Sequence, residues 1–231
     1  MRQYCTRAVL FSSVLALFAC SHLPETSTRD VNVVSAQAAT QALGIDLASL
    51  EQKATTLRTF EYIYNNERYL AYLSTHPEFI RVQKDSNVSK FFYQTGKLAV
   101  VQDATGVYQF DHVGKLTKAV NIKGQKIDVS SEKQSELLTQ GKKLLKILGN
   151  NKADASASRI NTGSDAKVNY LCIAKIQQVA QTNRVFRSPE NAVVTANNIK
   201  ATVRLNGTQY YTMECQLAND KVSKLSLIKN K

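Results

Sequence analysis

The 231-residue chain carries 30 Lys+Arg against 18 Asp+Glu, a formal net charge of +12, with 43% hydrophobic residues and only 9 Gly and 3 Pro. That balance excludes collagen-like and compositionally disordered chains and supports a globular core in one domain or two small ones. Four Cys and three His, widely scattered, exclude a multi-disulfide scaffold and a zinc cluster of the usual spacing.

At the start of the chain, Arg2 and Arg7 accompany an apolar stretch from Ala8 to Ala19 broken only by Ser12 and Ser13. As a helix this stretch is about 18 Å long, short of the roughly 30 Å hydrocarbon core, so it reads as an export signal and not as a span. The stretch ends Leu17-Phe18-Ala19-Cys20, which resembles the lipobox of bacterial lipoproteins. The resemblance implies a signal peptide at 1–19, cleavage before Cys20, acylation of Cys20 with fatty acids such as palmitate, and, with Ser21 and not Asp following, residence at the outer membrane. Cys5 then leaves with the signal and Cys20 carries lipid. The two remaining cysteines, Cys172 and Cys215, are expected to form one disulfide in an oxidising compartment; the alternative is two buried thiols.

Residues 20–40 are expected to be a flexible tether, since Ser21 to Thr28 is polar and has no hydrophobic period. Between Ala36 and Leu57 a short amphipathic helix is predicted, with Asp46 as N-cap and Leu47, Leu50, Ala54 and Leu57 at helical spacing. From Arg58 the pattern changes to short β-prone runs at Thr59–Tyr64, Tyr69–Leu73, Phe79–Val82, Lys90–Tyr93, Leu98–Val101, Val107–Phe110, Leu116–Ile122 and Lys126–Val129. Turns this short require antiparallel neighbours, so a meander is expected. Within it, Phe92 to Leu98 and Phe110 to Leu116 share the frame Phe-x-x-x-Gly-Lys-Leu. That frame weakly resembles MORN-type and antitoxin-component hairpin repeats, the alternative being two hairpins with shared turn chemistry.

Ser130 or Ser131 opens the clearest helix, which runs to Leu148 with Gly149 as its stop. Ser131 and Gln134 have capping-box spacing, and Leu137, Leu138, Leu144, Leu145 and Leu148 form the apolar face. Residues 149–167 are polar and aperiodic and read as a linker, giving a folded segment at 41–148 and a smaller β-rich module at 168–231. Strands are expected at Val168–Ile176, Ile199–Leu205, Tyr210–Leu217 and Val222–Ile228. A strict two-residue turn at Asn206-Gly207 would put the apolar residues of its two strands on opposite faces, so either the register shifts by one or both faces are covered. The fold class expected is α+β: an antiparallel meander with flanking helices, followed by a smaller antiparallel β-rich module.

The charge is unevenly distributed. Residues 20–129 are near neutral at +1, whereas residues 130–231 carry +9. Lys142, Lys143, Lys146, Arg184, Arg187, Lys200 and Arg204 are candidates for a basic contact surface, and the partners it would suit are an anionic envelope surface or another envelope protein, with nucleic acid not expected. The alternative is a basic surface that only maintains solubility. No catalytic or cofactor motif and no metal-ligand set stands out: His22, His76 and His112 have no partner at ligand spacing, and Ser130-Ser131-Glu132-Lys133 lacks the companion motifs of a Ser-x-x-Lys enzyme. Eleven of the Phe and Tyr residues fall in the meander, where Phe91-Phe92-Tyr93 must serve both sheet faces. One face is expected to be core and the other either core or a Tyr-rich contact surface.

These features point to a lipid-anchored envelope protein with a non-enzymatic binding or assembly-supporting role. The alternatives are a surface-displayed inhibitor or host-factor binder, and an enzyme whose site assembles from separated residues.

Overall fold

The computed structural model describes residues 37–149 and 164–230. The expected signal peptide at 1–19, Cys20, His22 and most of the expected tether and linker lie outside the described residues. A helix at 37–43 (α1) and a second at Leu47–Ala54 (α2) lead into seven strands. These are β1 (Arg58–Tyr64), β2 (Glu67–Leu73), β3 (Pro77–Lys84), β4 (Asn87–Gln94), β5 (Lys97–Gln102), β6 (Gly106–Phe110) and β7 (Leu116–Asn121). Two long helices follow, α3 (Ser131–Leu148) and α4 (Ser164–Val179), and then β8 (Val185–Arg187), β9 (Val193–Thr195), β10 (Asn198–Leu205), β11 (Gln209–Ala218) and β12 (Lys221–Lys229).

The fold is α+β, as composition and periodicity indicated. All twelve strands form one sheet in the order β7-β6-β5-β4-β3-β2-β1-β12-β11-β10, with the short strands β8 and β9 sharing the far edge of β10. Every pairing is antiparallel except β1 with β12, which run parallel from Glu61 opposite Lys224 to Tyr64 opposite Leu227. This seam makes the meander and the C-terminal strands two halves of a single sheet.

Helices cover both faces, but unequally. On the inner face α3 lays Leu137, Leu144, Ile147 and Leu148 over the meander, and α4 lays Val168, Leu171, Cys172, Ile176 and Val179 over the C-terminal strands; together with the inward strand residues they form one core. On the outer face α1 and α2 cover only the meander, where Ala39, Leu43, Leu47 and Ala54 pack with Phe79, Phe92, Val100, Val107 and Val120. Tyr72, Phe79 and Phe92 stack under these helices, with ring centroids 5.3 and 4.8 Å apart. The meander's aromatics are thus ordinary core on both faces.

Several local expectations are corrected. Val168–Ile176 is helical, because Val168, Leu171, Cys172, Lys175, Ile176 and Val179 recur at three and four residues and all are buried. Residues 164–167, read as linker, are the first turn of this helix. Lys126–Val129 forms no strand, only an isolated bridge from Lys126 to Val120. The N-cap of α3 is Ser130, whose hydroxyl accepts from Lys133 N at 3.3 Å, so the Ser131–Gln134 capping box does not form. Gly149 ends α3 without a left-handed residue (φ −64°); its value is closeness, since a Cβ there would come 2.6 Å from the Leu145 carbonyl oxygen. Asp46 caps α2 as expected, accepting from Ser49 N at 2.9 Å.

The Asn206-Gly207 hairpin resolves by a shift of one residue. Its loop includes Thr208, so Leu205 pairs with Gln209 and Val203 with Tyr211. Ile199, Ala201, Val203 and Leu205 then share the inner face with Tyr211, Met213, Cys215 and Leu217, and all eight are buried. The two Phe-x-x-x-Gly-Lys-Leu frames both form hairpins, β4–β5 and β6–β7, yet Phe92 enters the outer core and Phe110 the inner one.

Candidate functional site

The outer face of the C-terminal half is the one sheet surface that no described helix covers. Its composition follows from register: with Val203 and Leu205 inward, Arg204 points outward and lies between Phe186 on β8 and Tyr210 on β11. Val193 lies opposite Lys200, and Ile228 opposite Thr212, on the same face. Phe186, Val193, Tyr210 and Ile228 are 56, 64, 49 and 42% exposed. An open antiparallel face is normally polar, so four large apolar side chains left in water make this the candidate contact surface.

Charge is interleaved with this apolar surface. The Arg204 guanidinium stands 5.4 Å from the Phe186 ring centroid. Lys200 bridges to Glu214 at 2.7 Å, while Arg68 and Lys224 reach Glu61 at 2.5 and 3.5 Å. The carboxylates only partly offset the cations, and the face remains basic.

The inner face carries a different arrangement where α3 and α4 meet over the seam. Tyr69, Tyr62, Tyr64 and Tyr211 form a row with centroid spacings of 5.6, 6.1 and 5.9 Å. Tyr211 donates to Gln209 Oε1 at 3.2 Å, leaving Tyr64 to donate to Tyr211 at 3.0 Å. Burial holds Tyr62 well above the ordinary phenol range. Burial and the Tyr64 hydrogen bond push Tyr211 up to about 12. Tyr69 donates to Glu67; that bond and the Lys84 ammonium at 2.9 Å hold the Glu67 carboxyl below its usual range. A cavity of about 310 Å³ opens here between α3 and the sheet, with Lys84, Lys143, Gln140 and Glu67 at its rim and Val82, Leu144 and Ile147 among its apolar lining. On α4 the buried Lys175 places its Nζ 4.2 Å from the Phe60 ring centroid. On the outer side a cleft of about 860 Å³ runs between α1, α2 and strands β3 to β6, crossed by the Lys90–Glu51 ion pair at 2.6 Å.

The seven basic candidates do not form one surface. Lys142, Lys143 and Lys146 are exposed on α3, over the inner face, whereas Lys200 and Arg204 project from the outer face. Arg187 is a β8 edge residue opposite the inward Val203, and Arg184 immediately precedes β8. His76 sits in the β2–β3 turn beneath Gly96, and His112 at the β6–β7 tip. Among the described residues no group of three or more His, Cys, Asp and Glu could hold a metal ion, and no helix is long and apolar enough to cross a membrane. Sequence reading missed Phe186 and Val193 because β8 and β9 are only three residues each. Tyr210 and Ile228 stood in predicted strands, but the face they join depends on the Asn206 to Thr208 loop for Tyr210 and on the β11–β12 register for Ile228.

Cys172 and Cys215 form the expected disulfide, which fastens α4 to β11 with Cα atoms 6.1 Å apart.

No protein-family model matches the chain, and no solved structure matches it. The chain is similar to the uncharacterized protein PM0674 of Pasteurella multocida (strain Pm70), with 63% identity over 229 residues that cover 99% of this chain and 100% of the relative. Identity of that extent across the whole of both sequences places them in one family, and the chain belongs to the family of PM0674.

Proposed function

We propose that the chain is an outer-membrane lipoprotein of the bacterial envelope, exported by the segment at 1–19 and anchored by acyl chains on Cys20, and that it acts by binding through the open outer face of its sheet and not by catalysis. The lipobox-like Leu17-Phe18-Ala19-Cys20 supports the anchor. The observation that carries the binding role is the exposure of Phe186, Val193, Tyr210 and Ile228 on a sheet whose other faces are covered. Aromatic side chains with an interleaved Arg, as Phe186 and Tyr210 about Arg204, are those that dominate contact surfaces, because they bury large area with few rotamers to fix.

Two measurements test the two parts. Metabolic labelling with an alkyne-bearing palmitate is expected to tag the wild-type chain, and Cys20→Ala to abolish the tag and move the protein from the membrane to the soluble fraction. An untagged, soluble wild-type protein would remove the anchor. A photocrosslinker at Tyr210 in intact envelopes is expected to give adducts that the same group at Tyr170, on α4 at the other side of the molecule, does not; equal yields would remove the binding role.

A further inference from the structure

Two independent features of the outer side point to the same occupant. The first is the pairing of exposed apolar tips with cations. Phe186 and Tyr210 flank Arg204 across three strands, and Ile228 and Val193 stand in the neighbouring rows with Lys200. The inner side has cations, Lys142, Lys143 and Lys146, but among the described residues its helices expose only Tyr170 as a large apolar side chain. The second feature is where the anchor enters. Gln37, the first described residue, lines the outer cleft, and α1 packs on the outer face through Ala39 and Leu43. Sixteen residues separate Cys20 from Gln37, a contour of at most about 55 Å. Acyl chains on Cys20 therefore hold the outer side within that reach of a bilayer, at an effective concentration of headgroups that a soluble partner would have to exceed.

We infer that the open outer face seats on an anionic phospholipid surface, with Phe186, Tyr210, Val193 and Ile228 entering the boundary between headgroups and acyl chains and Arg204 and Lys200 meeting the phosphates. Aromatic side chains are favoured at that depth, and Lys and Arg gain from the negative surface potential of the leaflet. The inference rests on the anchoring proposed above and adds an orientation: the sheet lies on the bilayer with α3 and α4 facing away.

The chain contains no Trp, so single reporters can be placed without background. Lipidated full-length protein with Tyr210→Trp, and separately Phe186→Trp, is reconstituted on vesicles of phosphatidylglycerol and brominated phosphatidylcholine, with Tyr170→Trp as the opposite-side reporter. Emission from the Tyr210→Trp and Phe186→Trp proteins is expected to shift to the blue and be quenched by the bromines, with quenching relieved near 1 M salt, where the screening length is about 3 Å. The Tyr170→Trp protein is expected to show neither change. Co-flotation with the vesicles is read on the same samples. Protein that floats with unquenched outer-face reporters, or with quenching equal at Tyr170→Trp, overturns the seat and leaves the anchor standing. Protein that does not float overturns both. A protein adduct as the main crosslink from Tyr210 in the envelope overturns the seat and retains the binding role.

Discussion

At Gly106 a hydrogen in place of a Cβ sets how closely β6 approaches β7: an added methyl would lie 2.2 Å from the Val120 carbonyl oxygen. Backbone cannot retreat as a side chain can, so Gly106→Ala is expected to cost about 3 kcal/mol, read as a lower urea midpoint. At Gly141 a Cβ would meet the flexible end of Leu98 at 2.7 Å, and Gly141→Ala is expected to cost less. Tyrosines give a second residue-scale expectation. Tyr62 and Tyr93 are buried, and burial raises both above the ordinary phenol range. Tyr93 also donates to the Gly141 carbonyl at 3.0 Å. Their folded-state values lie above the unfolded value of about 10, so the folded state holds protons that the unfolded state has lost. The stabilisation is complete below about pH 10 and falls as pH rises, by roughly 1.4 kcal/mol per pH unit for each group. Spectrophotometric titration should show these phenols ionising only together with unfolding; smooth ionisation of every tyrosine near pH 10 with the fold intact would contradict it.

At the scale of elements, α4 shows why periodicity must be weighed against residue type. Val168, Ile173 and Ile176 favour a strand by propensity, but the buried set 168, 171, 172, 175, 176 and 179 fits a period of 3.6 and not of 2. The strands of the meander were legible because each has its own turn chemistry, with left-handed residues at Asn65 and at Thr95-Gly96. The edge strands β8 and β9 were not, because three residues carry no period. The outer-face site suffered twice, since Phe186 and Val193 lie on those strands and Tyr210 depends on a one-residue shift at Asn206 to Thr208 that turn residues alone leave open. The disulfide between α4 and β11 closes a separation of 43 residues. Replacing both cysteines by Ala is expected to cost about 3 to 4 kcal/mol in the chain-entropy picture. Both cysteines are fully buried in the core, so reductant should act on the native protein only as fast as it unfolds. A thiol assay under native reducing conditions that shows rapid opening would place the bridge elsewhere.

Across the whole molecule the decisive contact is the parallel seam of β1 with β12, which joins residues 61–64 to residues 224–227. No local pattern announces such a pair: both strands read from sequence as members of separate antiparallel modules, and the pairing costs a loop closure of over 150 residues that only the shared core repays. Phe60 and Tyr62 on one side of the seam and Leu225 and Leu227 on the other belong to the same inner core that α3 and α4 cover. The near-neutral meander and the basic C-terminal half should therefore unfold together. Leu227 is fully buried and stands opposite Tyr64. Leu227→Ala is expected to cost about 2 to 5 kcal/mol and to shift one transition without splitting it. The tyrosine row Tyr69, Tyr62, Tyr64 and Tyr211 straddles the seam, so its near-ultraviolet circular dichroism reports the seam, while the far-ultraviolet signal reports the whole sheet. The two denaturation curves should coincide for wild type and variant. If the tyrosine signal were lost first, the seam would be a docking contact between independently stable halves. The outer face, which runs from Glu61 on β1 across β12, β11 and β10 to Phe186 on β8 and Val193 on β9, would then be only as rigid as that contact.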